Sequence, residues 1–134
     1  MANRAKYTAQ SFGIGREYME FQLKLNGSAA PTVTEGAEIV ASVTHAGGGN
    51  IVVVTLKDSF PKVVAHAVDI RDDSANGSYA TIGTITGENS ATVPTAPIKF
   101  NINTWQASGA AANDSSLVVV VTLALRNSNV TAGN

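Results

Sequence analysis

The run Leu117-Val-Val-Val-Val-Thr-Leu-Ala-Leu125 constrains the fold of this chain more than any other stretch. Val and Thr have stiff χ1 angles that suit a pleated surface better than a helix. A half-buried strand alternates apolar with polar side chains, and this run hardly does. Leu117, Val119, Val121, Leu123 and Leu125 fall on one face, with Val118, Val120, Thr122 and Ala124 on the other. A membrane helix needs about 20 apolar residues, so the run is too short for one. It predicts a central strand covered on both sides, by a second sheet, a neighbouring subunit, or both.

The remaining segments read as shorter strands between turns. Tyr18 to Leu25 alternates, with Met19, Phe21, Leu23 and Leu25 on one side. Asn26-Gly27 is a strong turn signal after it. Ala29 to Gly36, with Pro31, reads as a connection or a short edge segment. Glu38 to Thr44 alternates with Ile39, Ala41 and Val43 inward, and Ile51 to Leu56 is nearly all apolar. Val63 to Ile70 sets Val64, His66, Val68 and Ile70 on one face; Tyr79 to Thr86 and Ile98 to Trp105 complete the set. No stretch carries the apolar stripe and caps of a helix. Seven or eight short strands with turn clusters predict one all-β domain, an antiparallel β-sandwich of jelly-roll or immunoglobulin-like type. The expected division is an arm over 1–17, a sandwich over 18–130 and a tail over 131–134.

Only 14% of residues are charged, against roughly 25% in an average soluble domain. The polar surface must then come from Thr, Ser, Asn and Gly. A net charge of −1, with no basic patch interleaved with aromatics, argues against nucleic acid as a partner, and nothing in the chain points to a membrane. With no cysteine there is no disulfide framework, thiolate metal site or Cys nucleophile. The opening Met1-Ala-Asn-Arg-Ala-Lys-Tyr7 lacks the apolar core of a secretory signal, so synthesis in a cytoplasm is expected. Without that route, the Asn-x-Ser/Thr sequons at Asn26, Asn76, Asn113 and Asn129 carry little weight.

Chemistry-bearing groups are sparse. His66 lies in an apolar row and reads as a core or interface residue, and His45 as a turn residue. Two histidines without carboxylates at ligand spacing make a poor metal site. Asp69, Asp72 and Asp73 form one acidic cluster, which could offer calcium its oxygens; Arg71 within it favours a solvated turn. Gly47-Gly48-Gly49 lacks the Lys-Ser/Thr and helix of a phosphate loop, and no Gly-x-Ser-x-Gly elbow is present. No enzyme activity, catalytic residue or cofactor is expected. Trp105, just before an Ala/Gly/Ser loop, can stack on a sugar or anchor a protein contact, or be buried against that loop.

The segment from about Ala41 to Val130 resembles small virion proteins of tailed bacteriophages, both capsid decoration (cement) proteins and tail- or fibre-associated β domains. The resemblance lies in the strand–glycine tip–strand unit Val43–Leu56, in Asp58-Ser-Phe-Pro61, in the later loop with Asn113-Asp114, and in the close at Arg126-Asn-Ser128. It implies a sandwich that trimerises on the exterior of an HK97-like capsid at threefold and quasi-threefold positions and stabilises the shell. The expected partners are then the major capsid protein and further copies of this chain, and the expected location is the virion surface. Tyr7, Phe12, Ile14 and Arg16 are the expected arm contacts to the shell, and Val118 and Val120 the expected subunit contacts. The alternative is a tail, fibre or receptor-binding domain meeting a carbohydrate through Trp105. A third reading is a cellular carbohydrate-binding module with calcium at the three aspartates.

Overall fold

A computed structural model describes residues 16–46, 50–72, 76–88, 96–112 and 115–126. These form eight strands and, among the described residues, no helix. The strands are β1 (Arg16–Asn26), β2 (Ala29–Glu35), β3 (Val40–Ala46), β4 (Ile51–Leu56), β5 (Lys62–Arg71), β6 (Tyr79–Thr86), β7 (Lys99–Trp105) and β8 (Val118–Arg126). One sheet has the order β2-β1-β8-β5 and the other β3-β4-β7-β6. Every pairing is antiparallel. The sheets approach one another at their margins, β2 beside β3 and β5 beside β6, where consecutive strands cross between them. The fold is the expected all-β sandwich. Its order differs from the immunoglobulin constant-type arrangement, in which strands one, two, five and four share a sheet.

The 117–125 run does form a central strand, β8, held between β1 and β5. Leu117, Val119, Val121, Leu123 and Leu125 are buried between the sheets. The other face behaves differently: Val118 and Val120 are half-buried and Thr122 is exposed. One face is core and the other points away from the second sheet, with Ala124 buried there by its own sheet neighbours; the second sheet covers one side of β8. The same holds in β4, where Val52, Val54 and Leu56 are buried and Ile51, Val53 and Thr55 half-buried. A run of valines records β-propensity as well as burial.

The core joins both sheets through Phe21 of β1 and Phe100 of β7, whose ring centroids lie 6.3 Å apart at 45°. Leu23, Leu56, Ile98, Ile102 and Leu123 fill the space around them. Tilted ring pairs at this separation contribute about 0.5–1.5 kcal/mol beyond their area burial.

Three expectations are changed by bulges and pairing. Arg16 and Glu17 were placed in an arm, yet both are in β1, opposite Arg126 and Leu125. Glu17 turns inward and is 3% exposed. In β3 a register shift between Val40 and Ser42 buries Val40 together with Ile39 and leaves Ala41 exposed. In β5 a shift between Val63 and Ala65 puts Val63, in place of Val64, in the inward row of His66, Val68 and Ile70; His66, on this marginal strand, is exposed and is no core histidine. One inserted residue moves every following side chain to the other face.

Candidate docking surfaces

The first and last strands are neighbours, so residues 1–15 join β1 at Arg16 directly beside the place where residues 127–134 leave β8 at Arg126. Lys62, at the start of β5, is the other register partner of Arg126. Arg16, Arg126 and Lys62 therefore form one row across three strands, on the outward face. Arg16 and Arg126 are half-buried and Lys62 is exposed. Cβ atoms of directly opposite residues sit about 5 Å apart, and like charges so placed are destabilising. The nearest carboxylate on that face of β1 is Glu20, opposite Thr122, two rows along at about 3.4 Å per residue. Three cations thus share one end of the sheet, where Glu88 Oε1 also accepts the Val63 N–H at 2.8 Å and Glu17 is buried on the inner face beside Arg16. The segment before it adds Arg4 and Lys6 and contains no acidic residue.

The expected subunit contacts lie further along the same face. Val118 stands between Lys24 and Arg71, and Val120 between Gln22 and Asp69. Both valines are half-buried, each flanked by a strand on either side. Val118 and Val120 are brought side by side, but in a charged setting rather than on a bare apolar patch.

Trp105 is at the opposite end of the sandwich, on the outward face of β7. Its register partner is Tyr79 of β6, the exposed large hydrophobic side chain of the described residues at 47%. Trp105 itself is half-buried and forms an isolated bridge with Ala111. Below it, Thr104 is buried and ties three segments together. Its N–H donates to the Asn50 carbonyl at 2.9 Å, and the Ala112 N–H donates to its carbonyl at 3.2 Å. The Thr104 hydroxyl donates to the Ala112 carbonyl. Nδ2 of buried Asn50 has no hydrogen-bond partner among the described residues. Thr104→Val removes the hydroxyl while keeping the shape, and leaves a buried carbonyl short of a donor. The expected loss is about 1–3 kcal/mol in urea unfolding, with a shift in the fluorescence of Trp105, the single tryptophan.

The aspartates serve the backbone. Asp69 Oδ1 accepts the Ile70 N–H at 2.9 Å, and Asp72 Oδ2 accepts the Ser78 N–H at 3.1 Å. Asp73 lies outside the described residues, and no group of three potential metal ligands occurs among those described. Tyr7, Phe12 and Ile14 also lie outside the described residues. The row of three cations escaped the sequence reading because its members come from positions 16, 62 and 126. Only the strand order makes them neighbours.

No family model, no curated protein and no solved structure matches this chain.

Proposed function

We propose that this chain is a structural virion protein, a decoration subunit that sits on the outside of a phage capsid and braces neighbouring capsid proteins. The observation that carries the reading is the row of three cations at Arg16, Lys62 and Arg126, continuous with a basic, acid-free segment over residues 1–15. The segment is mounted on β1, whose Arg16–Lys24 ladder pairs with β8, with β2 joining on the other side only from Gln22 onward. In this reading residues 1–15 hold the shell through Tyr7, Phe12 and Ile14, while Arg16 contributes from the strand. Three copies at a threefold position multiply a weak contact by raising the effective concentration of the second and third arms.

Deleting residues 1–15 is the direct test, and it stops short of Arg16 so that β1 stays whole. The truncated protein is expected to keep its circular dichroism and melting temperature, and to lose at least about tenfold in affinity for capsids stripped of this protein. Equal capsid binding by the full and truncated chains rejects the arm as the contact. Counting copies per purified virion by quantitative mass spectrometry decides the role itself. A simple fraction of the major capsid protein supports decoration, and absence from virions refutes it.

One observation favours a second reading. The outward pair Tyr79 and Trp105 offers two adjacent aromatic faces, a suitable platform for a sugar ring. A tail or fibre position, with a few tens of copies or fewer per particle, goes with that reading.

A further inference from the structure

The outward face of the β3-β4-β7-β6 sheet carries a line of groups that the fold itself does not use. Alternation puts Asn101, Asn103 and Trp105 of β7 on that face, since Phe100, Ile102 and Thr104 between them are buried. Neighbours on one face of a strand stand about 7 Å apart. Asn103 has Ile51 on one side and Thr81 on the other, one row from the Trp105–Tyr79 pair. Both asparagines are half-buried, and neither side chain makes a hydrogen bond among the described residues.

Gly83 gives these amides their room. It lies in the β6 register shift between Ile82 and Ile85. A Cβ built on it would stand 3.3 Å from Asn103 Nδ2 and 3.6 Å from Asn101 Cβ. The Asn103 amide therefore reaches across the sheet toward β6, the strand that carries Tyr79 and Thr81. A carboxamide held there keeps two N–H donors and a carbonyl acceptor for a ligand.

Charge narrows the kind of ligand. Residues 76–86 and 100–112 contain no charged side chain. Asp72 is engaged with the Ser78 N–H at 3.1 Å, and Lys99 stands beyond Asn101 at the far end of β7. An anion would find no cation beside the aromatic pair. A docking protein would find one exposed large apolar side chain, Tyr79, among the described residues, where the centre of a protein interface is built from a packed apolar cluster. A sugar suits both parts of the site. Its C–H face stacks on an aromatic ring, and its adjacent hydroxyls donate to and accept from a carboxamide.

We infer that Tyr79, Trp105, Asn103 and Asn101 form a linear site for an uncharged oligosaccharide. One sugar stacks on the aromatic pair, and the following units run along β7 over the two amides. The inference rests on the aromatic-platform reading above, and adds to it the class of glycan and the residues that select it.

Fluorescence titration of Trp105, the single tryptophan, tests it on the full chain. The probes are hexasaccharides of glucose, of mannose and of N-acetylglucosamine, with hexagalacturonate and sialyllactose as acidic counterparts. At least one neutral probe is expected to give a saturable change, and the acidic probes none. Tyr79→Ala and Asn103→Ala are each expected to weaken that binding at least about fivefold, as losing a stacked ring or a net hydrogen bond does. Neither side chain belongs to the core, so circular dichroism should be unchanged. Loss of binding in Tyr79→Ala with none in Asn103→Ala would overturn the role of the amides and leave the platform standing. Binding of the acidic probes alone, sensitive to Tyr79→Ala, would overturn the uncharged class and again leave the platform. Failure of every probe to bind would overturn both the site and the platform reading beneath it.

Discussion

Phe21→Ala is expected to destabilise the chain by about 3–5 kcal/mol, the range for emptying a fully buried phenylalanine site. Phe21 is 0% exposed and belongs to β1, which pairs with β2 on one side and β8 on the other. Its ring meets Phe100 of the opposite sheet, so truncation opens a cavity at the junction of the sheets. β1 cannot shift to fill it without breaking its ladder with β8, in which Phe21 stands opposite Val121. Domains of this size are stable by only about 5–15 kcal/mol, so the loss is a large share of the total. Urea unfolding should show a much lower midpoint at an unchanged slope. Tyr79→Ala removes a side chain of similar size from the surface and should cost under about 0.5 kcal/mol. If Phe21→Ala cost less than about 1 kcal/mol, the packing of the two sheets through this ring would be wrong.

Phe21 also illustrates what the sequence makes legible. Its place in the alternation of Met19, Phe21, Leu23 and Leu25 identified it as inward, because a strand paired regularly keeps the period of two. Leu117 to Leu125 and Ile98 to Thr104 were legible for the same reason. Reading failed where the ladder contains a bulge. Ala41 and Val64 were put in inward rows although each stands at a bulge, at Val40/Ser42 and Val63/Ala65; His66 does share the row of Val68 and Ile70, opposite Leu123, and is exposed on the marginal strand. A bulge is specified by the neighbouring strand as much as by its own residues, so a single segment does not announce it. The docking surfaces were less legible still. Arg16, Lys62 and Arg126 share a row only because β8 lies between β1 and β5, and strand order is not a property of any one segment. Trp105 stands half-buried on the outward face of β7 beside Tyr79, a pairing that only the register reveals.

Gly87→Ala is the second substitution expected to have a large effect. Gly87 ends β6 with φ at +85°, and a Cβ built there would overlap the Pro97 carbonyl oxygen, with the Pro97 carbonyl carbon only 3.0 Å away and Ile98 Cα 3.3 Å away. Two costs combine. A non-glycine residue at positive φ costs about 1–2 kcal/mol, and forcing atoms into a packed site costs typically 1–3 kcal/mol more. The obstructing atoms are backbone and cannot swing aside. Ile98, next to Pro97, is fully buried and its carbonyl accepts the Leu56 N–H at 2.9 Å, so a displaced Pro97 disturbs the entry of β7 beside β4. The expected total is about 2–5 kcal/mol. Gly109→Ala separates the two contributions, since Gly109 has φ at +88° but nothing within 4 Å of its Cβ position. It should show the backbone cost alone, about 1–2 kcal/mol. The difference between the two variants in urea unfolding is then the steric cost of the close approach at Pro97. Equal losses at Gly87 and Gly109 would mean that the chain between β6 and β7 yields to the added methyl, and that the Gly87–Pro97 approach is not a fixed feature of the sandwich.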